Sequence, residues 1–175
     1  FAAQMSSNAH AACTQTGLPL IRLERPAWEA QHGDDWLHVP NIESICSALP
    51  YVPSRVFLAI GRMHVDQFAR QPQHHYILRL VDTPTQPIAL PCHSVIIARG
   101  PFDVAGDIAL MREHSVDFVV AKNAGGTGAA AKLEAARALG LPVVMIDRPA
   151  LPETQVAPDS ETVLRWLGHS ADRGV

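Results

Sequence analysis

Cysteine is scarce: Cys13, Cys46 and Cys92 are the only three in 175 residues, far apart and with no C-x-x-C pair. An odd count at those spacings argues against a disulfide framework or a thiolate zinc site, and points to reduced thiols in a cytosolic setting. Long apolar runs are missing too, and none approaches the ~20 residues of a membrane helix. Positive charge is not in excess. Fourteen Lys and Arg against seventeen Asp and Glu leave a net charge of −3, where a nucleic-acid binder would show a basic stripe. Nine histidines form no HExxH, His-x-His or His-carboxylate spacing, so no metal site is expected. There is no G-x-S-x-G and no cysteine in an evident base context, so no catalytic nucleophile can be named. Aromatics make up only 6% of the chain and are scattered. Trp28, Trp36 and Trp166 are expected to fill core or interface positions.

What the chain does have is 47% hydrophobic residues in short, interrupted runs. That composition fits one globular domain, or one domain plus part of another. The first residues, Phe1-Ala2-Ala3-Gln4, have no initiator Met and no basic n-region, and read as a helix whose preceding strand is missing. An N-terminal part is therefore expected to be lacking. Helices are expected over 3–16, closed by Gly17, over 42–49 with Asn41 as N-cap, and over 63–70, 104–114 and 129–139; a last helix opens at Ser160. Strands are expected over 18–23, 36–39, 56–60, 76–81, 94–98, 117–121 and 142–146. The proline-rich stretch 82–91 reads as a surface loop, and the tail after Gly168 as frayed. Near-continuous apolar strands alternating with helices predict an α/β fold, a Rossmann-like parallel sheet with helices on both faces. The pattern becomes regular at Arg55. Residues 55–175 are expected to form a complete C-terminal α/β domain, and 1–54 a remnant of an N-terminal α/β domain plus linker.

Such sheets bind ligands beyond the carboxyl ends of their strands. Just past the apolar runs stand Arg25-Pro26, Gly61-Arg62, Arg99-Gly100-Pro101, Lys122-Asn123 and Arg148-Pro149. The strand over 76–81 carries Arg79 inside the run instead. One arginine at a strand end is commonplace. Five cations on one edge of an acidic protein predict a local positive cleft for a ligand with several carboxylates or phosphates.

The turn Lys122-Asn123-Ala124-Gly125-Gly126-Thr127-Gly128 leads into the helix expected over 129–139. Its glycines let a ligand approach the backbone, and the helix start favours an anion. The spacing is neither a P-loop nor G-x-G-x-x-G, since Ala131 and Leu133 flank Lys132. Taken alone the turn is as compatible with tight structure as with a phosphate cradle. With no nucleophile and no metal, redox chemistry on a bound cofactor is the economical enzyme hypothesis. A non-catalytic α/β domain binding a nucleotide or other polyanion is the alternative, and a structural or assembly domain ranks below both.

Four segments carry a resemblance: "FAAQMSSNAHAACTQTGLPLIRLERPAW", "VFLAIGR", "ARGPF" and "KNAGGTGAAAKLEAARALGLPVVMIDRP". Together and in this order the chain resembles the precorrin-6A reductases of cobalamin biosynthesis. The resemblance implies two α/β domains with cofactor and substrate in the cleft between them, the first domain being partial here. It implies hydride transfer from NADPH to a double bond of precorrin-6A, a polycarboxylate macrocycle, giving precorrin-6B in the cytoplasm without membrane or nucleic-acid partners. It further implies Gly61, Arg62, Lys122, Asn123, Gly125, Gly126 and Thr127 as cofactor-facing, and Arg99, Gly100, Pro101, Phe102 and Arg148 as substrate-facing. Many relatives have serine where Ala124 stands, so a hydroxyl contact there is lost. No catalytic residue and no metal ligand are assigned.

Overall fold

The computed structural model describes residues 3–171, with side chains through 168. Phe1 and Ala2, where the resemblance begins, and residues 172–175 lie outside the described residues. Two compact units appear: residues 28–123 with 127–148, and residues 3–27, 124–126 and 149–171.

The larger unit is built on a six-stranded parallel sheet. Its strands are β2 (Trp36–Val39), β3 (Arg55–Ala59), β4 (His75–Leu80), β5 (His93–Ile97), β6 (Phe118–Lys122) and β7 (Val143–Ile146), in the order β2-β7-β6-β3-β4-β5. Val-Phe-Leu, Tyr-Ile-Leu and Val-Val-Met-Ile are apolar without alternation because both faces are covered. On one face Val56, Leu58, Tyr76, Leu78, Val120 and Val144 pack with Ile45 of α2 (Ile45–Ala48) and with Val65 and Phe68 of a 3-10 segment (Arg62–Arg70). On the other, Phe57, Ile77, Val119 and Met145 meet Met111 of α3 (Val104–Glu113) and Leu133, Ala135 and Ala136 of α4 (Ala131–Leu139). Each large side chain fully removed from water contributes roughly 1.5–3 kcal/mol. Helix α3 starts at Asp103, whose carboxylate accepts from Gly106 N at 2.7 Å; α4 stops at Gly140 in the left-handed conformation, φ 65°.

The smaller unit pairs β1 (Ile21–Leu23) in parallel with β8 (Gln155–Ala157) beside α5 (Ser160–Ala171), and includes α1 (Ala3–Thr16). Arg22 ties the pair: Nε donates to Glu24 at 2.9 Å, and Nη1 reaches the Pro152 carbonyl and Thr154 hydroxyl, both at 3.3 Å. Three-residue β8 has no signal in the sequence and is not among the expected strands. Helix α5 runs through Gly168 to Ala171, where a frayed tail is expected.

The contacts do not divide at residue 55, as the alternation suggests. Strand β2 pairs with β7, Trp36 opposite Val143, so residues 28–54 belong with the six-stranded sheet while 149–171 join β1. Partner choice between parallel strands is made over long sequence distances, and nothing local records it. The helix expected over 42–49 shrinks to four residues. Its N-cap is Ser44 and not Asn41, whose side-chain oxygen accepts Ser44 N at 3.0 Å in the turn that precedes the helix. The helix expected over 63–70 is 3-10 with a break at His64.

Candidate functional site

Strand β3 has β4 on one side and β6 on the other. The chain runs outward from β3 through β4 to β5, then returns to β6. The carboxyl ends of β3 and β6 are therefore the point where strand order reverses, the usual ligand crevice of an open α/β sheet. A cavity of about 200 Å3 opens on this edge, lined by Ala59, Gly61, Arg79, Phe102, Ala129 and Lys132 among others. A larger one, about 520 Å3, is lined by Tyr51, Gln71 and Gln73, in the segments that lead into β3 and β4. That is the amino edge, where such folds do not place ligands.

Four of the expected cations stand at the carboxyl ends of strands β7, β6, β3 and β5. In sheet order they are Arg148 after β7, Lys122 ending β6, Arg62 after β3 and Arg99 after β5. Lys122 is half-buried, and burial lowers its pKa from the usual 10.5. Arg148 Nε donates to the Asn123 carbonyl at 2.9 Å. Arg99 forms an exposed pair with Asp82 at 2.5 Å, which water and salt weaken. Arg62 is exposed and lines a third cavity of about 290 Å3 with Val65, Leu78, Leu80 and Ile88. Gly61 has φ 75° and nothing within 4 Å of where a Cβ would stand, so the chain turns tightly there and leaves the backbone open. Gly100, Pro101 and Phe102 follow β5, and the Phe102 ring lies 3.7 Å beneath the Arg79 guanidinium. Arg25 follows β1 in the smaller unit.

The glycine turn is more structural than its composition suggests. Asn123 is buried and its amide is fully engaged with Trp28: Oδ1 accepts from Trp28 N at 2.8 Å, and Nδ2 donates to Trp28 O at 2.9 Å. Gly125 is buried at φ 69°, and Gly126 has φ 74°. A Cβ on Gly126 would stand 2.7 Å from Arg25 Cδ, so its bare backbone serves packing within the smaller unit. Thr127 is exposed. Gly126→Ala is expected to lose about 1–3 kcal/mol in urea denaturation from the left-handed backbone alone. Adding Arg25→Ala should recover only the steric part.

Beneath the rim lies a cluster that the sequence reading passes over. Arg79 donates to Asp107 Oδ1, with the two side chains 10% and 3% exposed. The Arg79 guanidinium is also stacked between Phe57 and Phe102. Asp107 Oδ2 has no hydrogen-bond partner among the described residues. Lys132, in the first turn of α4, is 6% exposed; Nζ donates to the Ala129 carbonyl at 2.5 Å and stands 4.9 Å from the Trp28 ring centroid. Burial is the main force lowering its pKa to about 8, Arg79 adds to it and Asp107 opposes it. The signals were faint: a lysine between Ala131 and Leu133 breaking an apolar face, and an arginine inside a strand. Asp107 looks like any acid at a helix start.

Fold and site together define a doubly wound parallel α/β protein with a cationic ligand edge at its strand reversal. Comparison with known proteins narrows this. The profile of the family described as precorrin-6x reductase CbiJ/CobK matches residues 1–168. The precorrin-6A reductase of Rhodobacter capsulatus is 56% identical over 174 residues, covering 99% of this chain and 68% of the relative. That of Rhodococcus erythropolis is 44% identical over 96% of this chain and 68% of its own length. A cobalt-precorrin-6A reductase of Priestia megaterium is 30% identical, over 95% and 69%. A solved structure titled CobK precorrin-6A reductase superposes with a TM-score of 0.95 at 56% identity, over 99% of this chain and 70% of that one. The chain belongs to the precorrin-6x reductase family and is an oxidoreductase of cobalamin biosynthesis that uses a reduced nucleotide. No helix of the described residues is long and apolar enough to cross a membrane.

Proposed function

We propose that this chain reduces precorrin-6A to precorrin-6B with NADPH, and that the cationic edge of the six-stranded sheet holds the macrocycle's carboxylates. The observation that carries this is the sheet order, which lines up Arg148, Lys122, Arg62 and Arg99 on one border of a chain of net charge −3. Arg99, Arg148 and the Gly100-Pro101-Phe102 turn are the substrate-facing groups. Sequence identity of 56% and 44% to two precorrin-6A reductases, against 30% to a cobalt-precorrin-6A reductase, favours the cobalt-free ring.

The residues present fit an anionic nucleotide. Gly61 offers open backbone, Arg62 and Lys122 offer charge, and the N-cap of α4, Ala130, makes no side-chain hydrogen bond, so the start of the helix favours an anion. Gly61, Arg62, Lys122 and Thr127 would hold phosphate or ribose, with Asn123 acting by fixing the turn through Trp28. The nucleotide, when bound, supplies the hydride. Three free thiols, Cys13, Cys46 and Cys92, support a cytoplasmic setting.

Titration with precorrin-6A at low salt tests the rim. Each of Arg99→Met and Arg148→Met should weaken binding by about 1.5–3 kcal/mol, and the loss should shrink as salt rises. Unchanged affinity in the double variant would end the assignment. The ratio of kcat/KM for NADPH to that for NADH tests the cofactor, and a ratio below one would reject NADPH.

A further inference from the structure

We infer that Lys132 is the proton donor of the reduction, presented to the substrate through the cavity at the carboxyl ends of β3, β4 and β5. The inference rests on the reading that reduction occurs at this edge. Adding hydride to one carbon of a double bond leaves an electron pair that must take a proton at the neighbouring atom. Hydride chemistry keeps bulk water away, so the proton has to come from a group in the wall. Ala59, Gly61, Val81, Ala98, Phe102 and Ala129 carry no side-chain proton to give; Arg79 and Lys132 are the lining residues that do. The Arg79 guanidinium does not release protons in a protein, and it is tied to Asp107. Lys132 remains.

Its geometry suits the task. An ammonium has three N–H donors, and the Ala129 carbonyl engages one of them. The cavity, about 200 Å3, has room for roughly six waters at ~30 Å3 each, or for the edge of a flat ring with a relay water. The charged groups facing Nζ are Arg79 from β4, whose charge favours release of the proton, and Asp107 from α3, whose charge retains it. The Arg137–Asp34 pair lies farther along α4. A pKa near 8 places the ammonium close to balance at neutral pH, where a general acid works best.

The step balances simply. A C–H bond forms at one carbon with the hydride's electron pair, and the nucleotide is oxidised. The displaced π pair takes a proton from Nζ, directly or through one water. The N–H bond breaks, Lys132 is left as the neutral amine, and water reprotonates it after product leaves.

The test uses the full-length enzyme as wild type, Lys132→Met and Lys132→Arg, with single-turnover rates for precorrin-6A and NADPH across pH. Wild-type rate should fall as pH rises through about 8. Lys132→Met should lose about 100-fold or more at neutral pH and lose that limb, with precorrin-6A affinity retained. Lys132→Arg separates charge from chemistry, because arginine keeps the cation and does not give up the proton. Its rate should stay as low as that of Lys132→Met. A wild-type rate in Lys132→Arg, or a pH limb that persists in Lys132→Met, overturns the inference. A second readout needs no turnover: in nucleotide-free protein labelled at lysine nitrogen, the NMR signal that Lys132→Arg removes should titrate near 8. A midpoint at the usual 10.5 would also overturn it. Intact rates with intact affinity would sink only this inference, whereas rim variants with unchanged affinity would sink the placement of the substrate.

Discussion

Asp107→Asn is expected to destabilise the protein by about 3–5 kcal/mol, a large share of what holds a domain of this size folded. The substitution keeps the shape of the side chain and removes only its charge. Arg79 would then be an unpaired cation with its side chain 10% exposed. The Phe57 and Phe102 rings on either side of the guanidinium offset part of that loss, but they offer no hydrogen bonds. Arg79→Met should be comparably damaging, since it leaves both oxygens of Asp107 without the charge that balances them. Combining Arg79→Met with Asp107→Asn should destabilise less than the two single losses added, because neither charge is stranded. Urea denaturation of the four proteins gives the coupling directly. A single-variant loss under about 1 kcal/mol would mean that water reaches the pair and that the cluster is not closed beneath the rim.

How much of this was readable from the sequence depends on whether the physics is local. Strands β3, β6 and β7 were readable because a strand covered on both faces must be apolar throughout, and Gly61, Gly140 and Pro149 mark their limits. The border of cations was readable for the same reason. Once the strands are parallel, the residue after each run falls on one edge without any knowledge of strand order. Strand order itself was not readable. Trp36–Val39 is as plausible beside β1 as beside β7, and Gln155–Ala157 becomes a strand only because β1 offers it an edge. The buried cluster was hidden for a different reason. Lys132, Asp107 and Arg79 sit on three separate elements, and each alone looks like a solvated charge. Their meaning comes from the packing of α3 and α4 over β4. The glycine turn misled in the opposite direction. Gly126 invites a phosphate reading, yet its missing side chain accommodates Arg25, and Asn123 is occupied by Trp28.

Lys132→Met should make the protein's stability less dependent on pH between about 8 and 10.5. The sign follows from where the protons go. In the folded chain Lys132 releases its proton near 8, and in the unfolded chain near the usual 10.5. Between those values the unfolded state binds the extra proton, so wild-type stability rises with pH across the window and carries the full penalty below it. The gap bounds the gain at roughly 3 kcal/mol, at about 1.36 kcal/mol per pH unit. Methionine removes the titration, so the difference between wild type and variant should change by an amount of this order from pH 7 to pH 10.5. Taking the difference cancels the tyrosines and cysteines that titrate in the same range. The absolute offset at pH 7 is smaller than the slope implies, because the variant also loses the Trp28 contact and the bond to Ala129. If the difference is flat with pH, Lys132 keeps an ordinary ammonium in the folded protein. If it slopes as expected, the fold holds a destabilising charge at its strand reversal, and stability alone does not account for a lysine in that place.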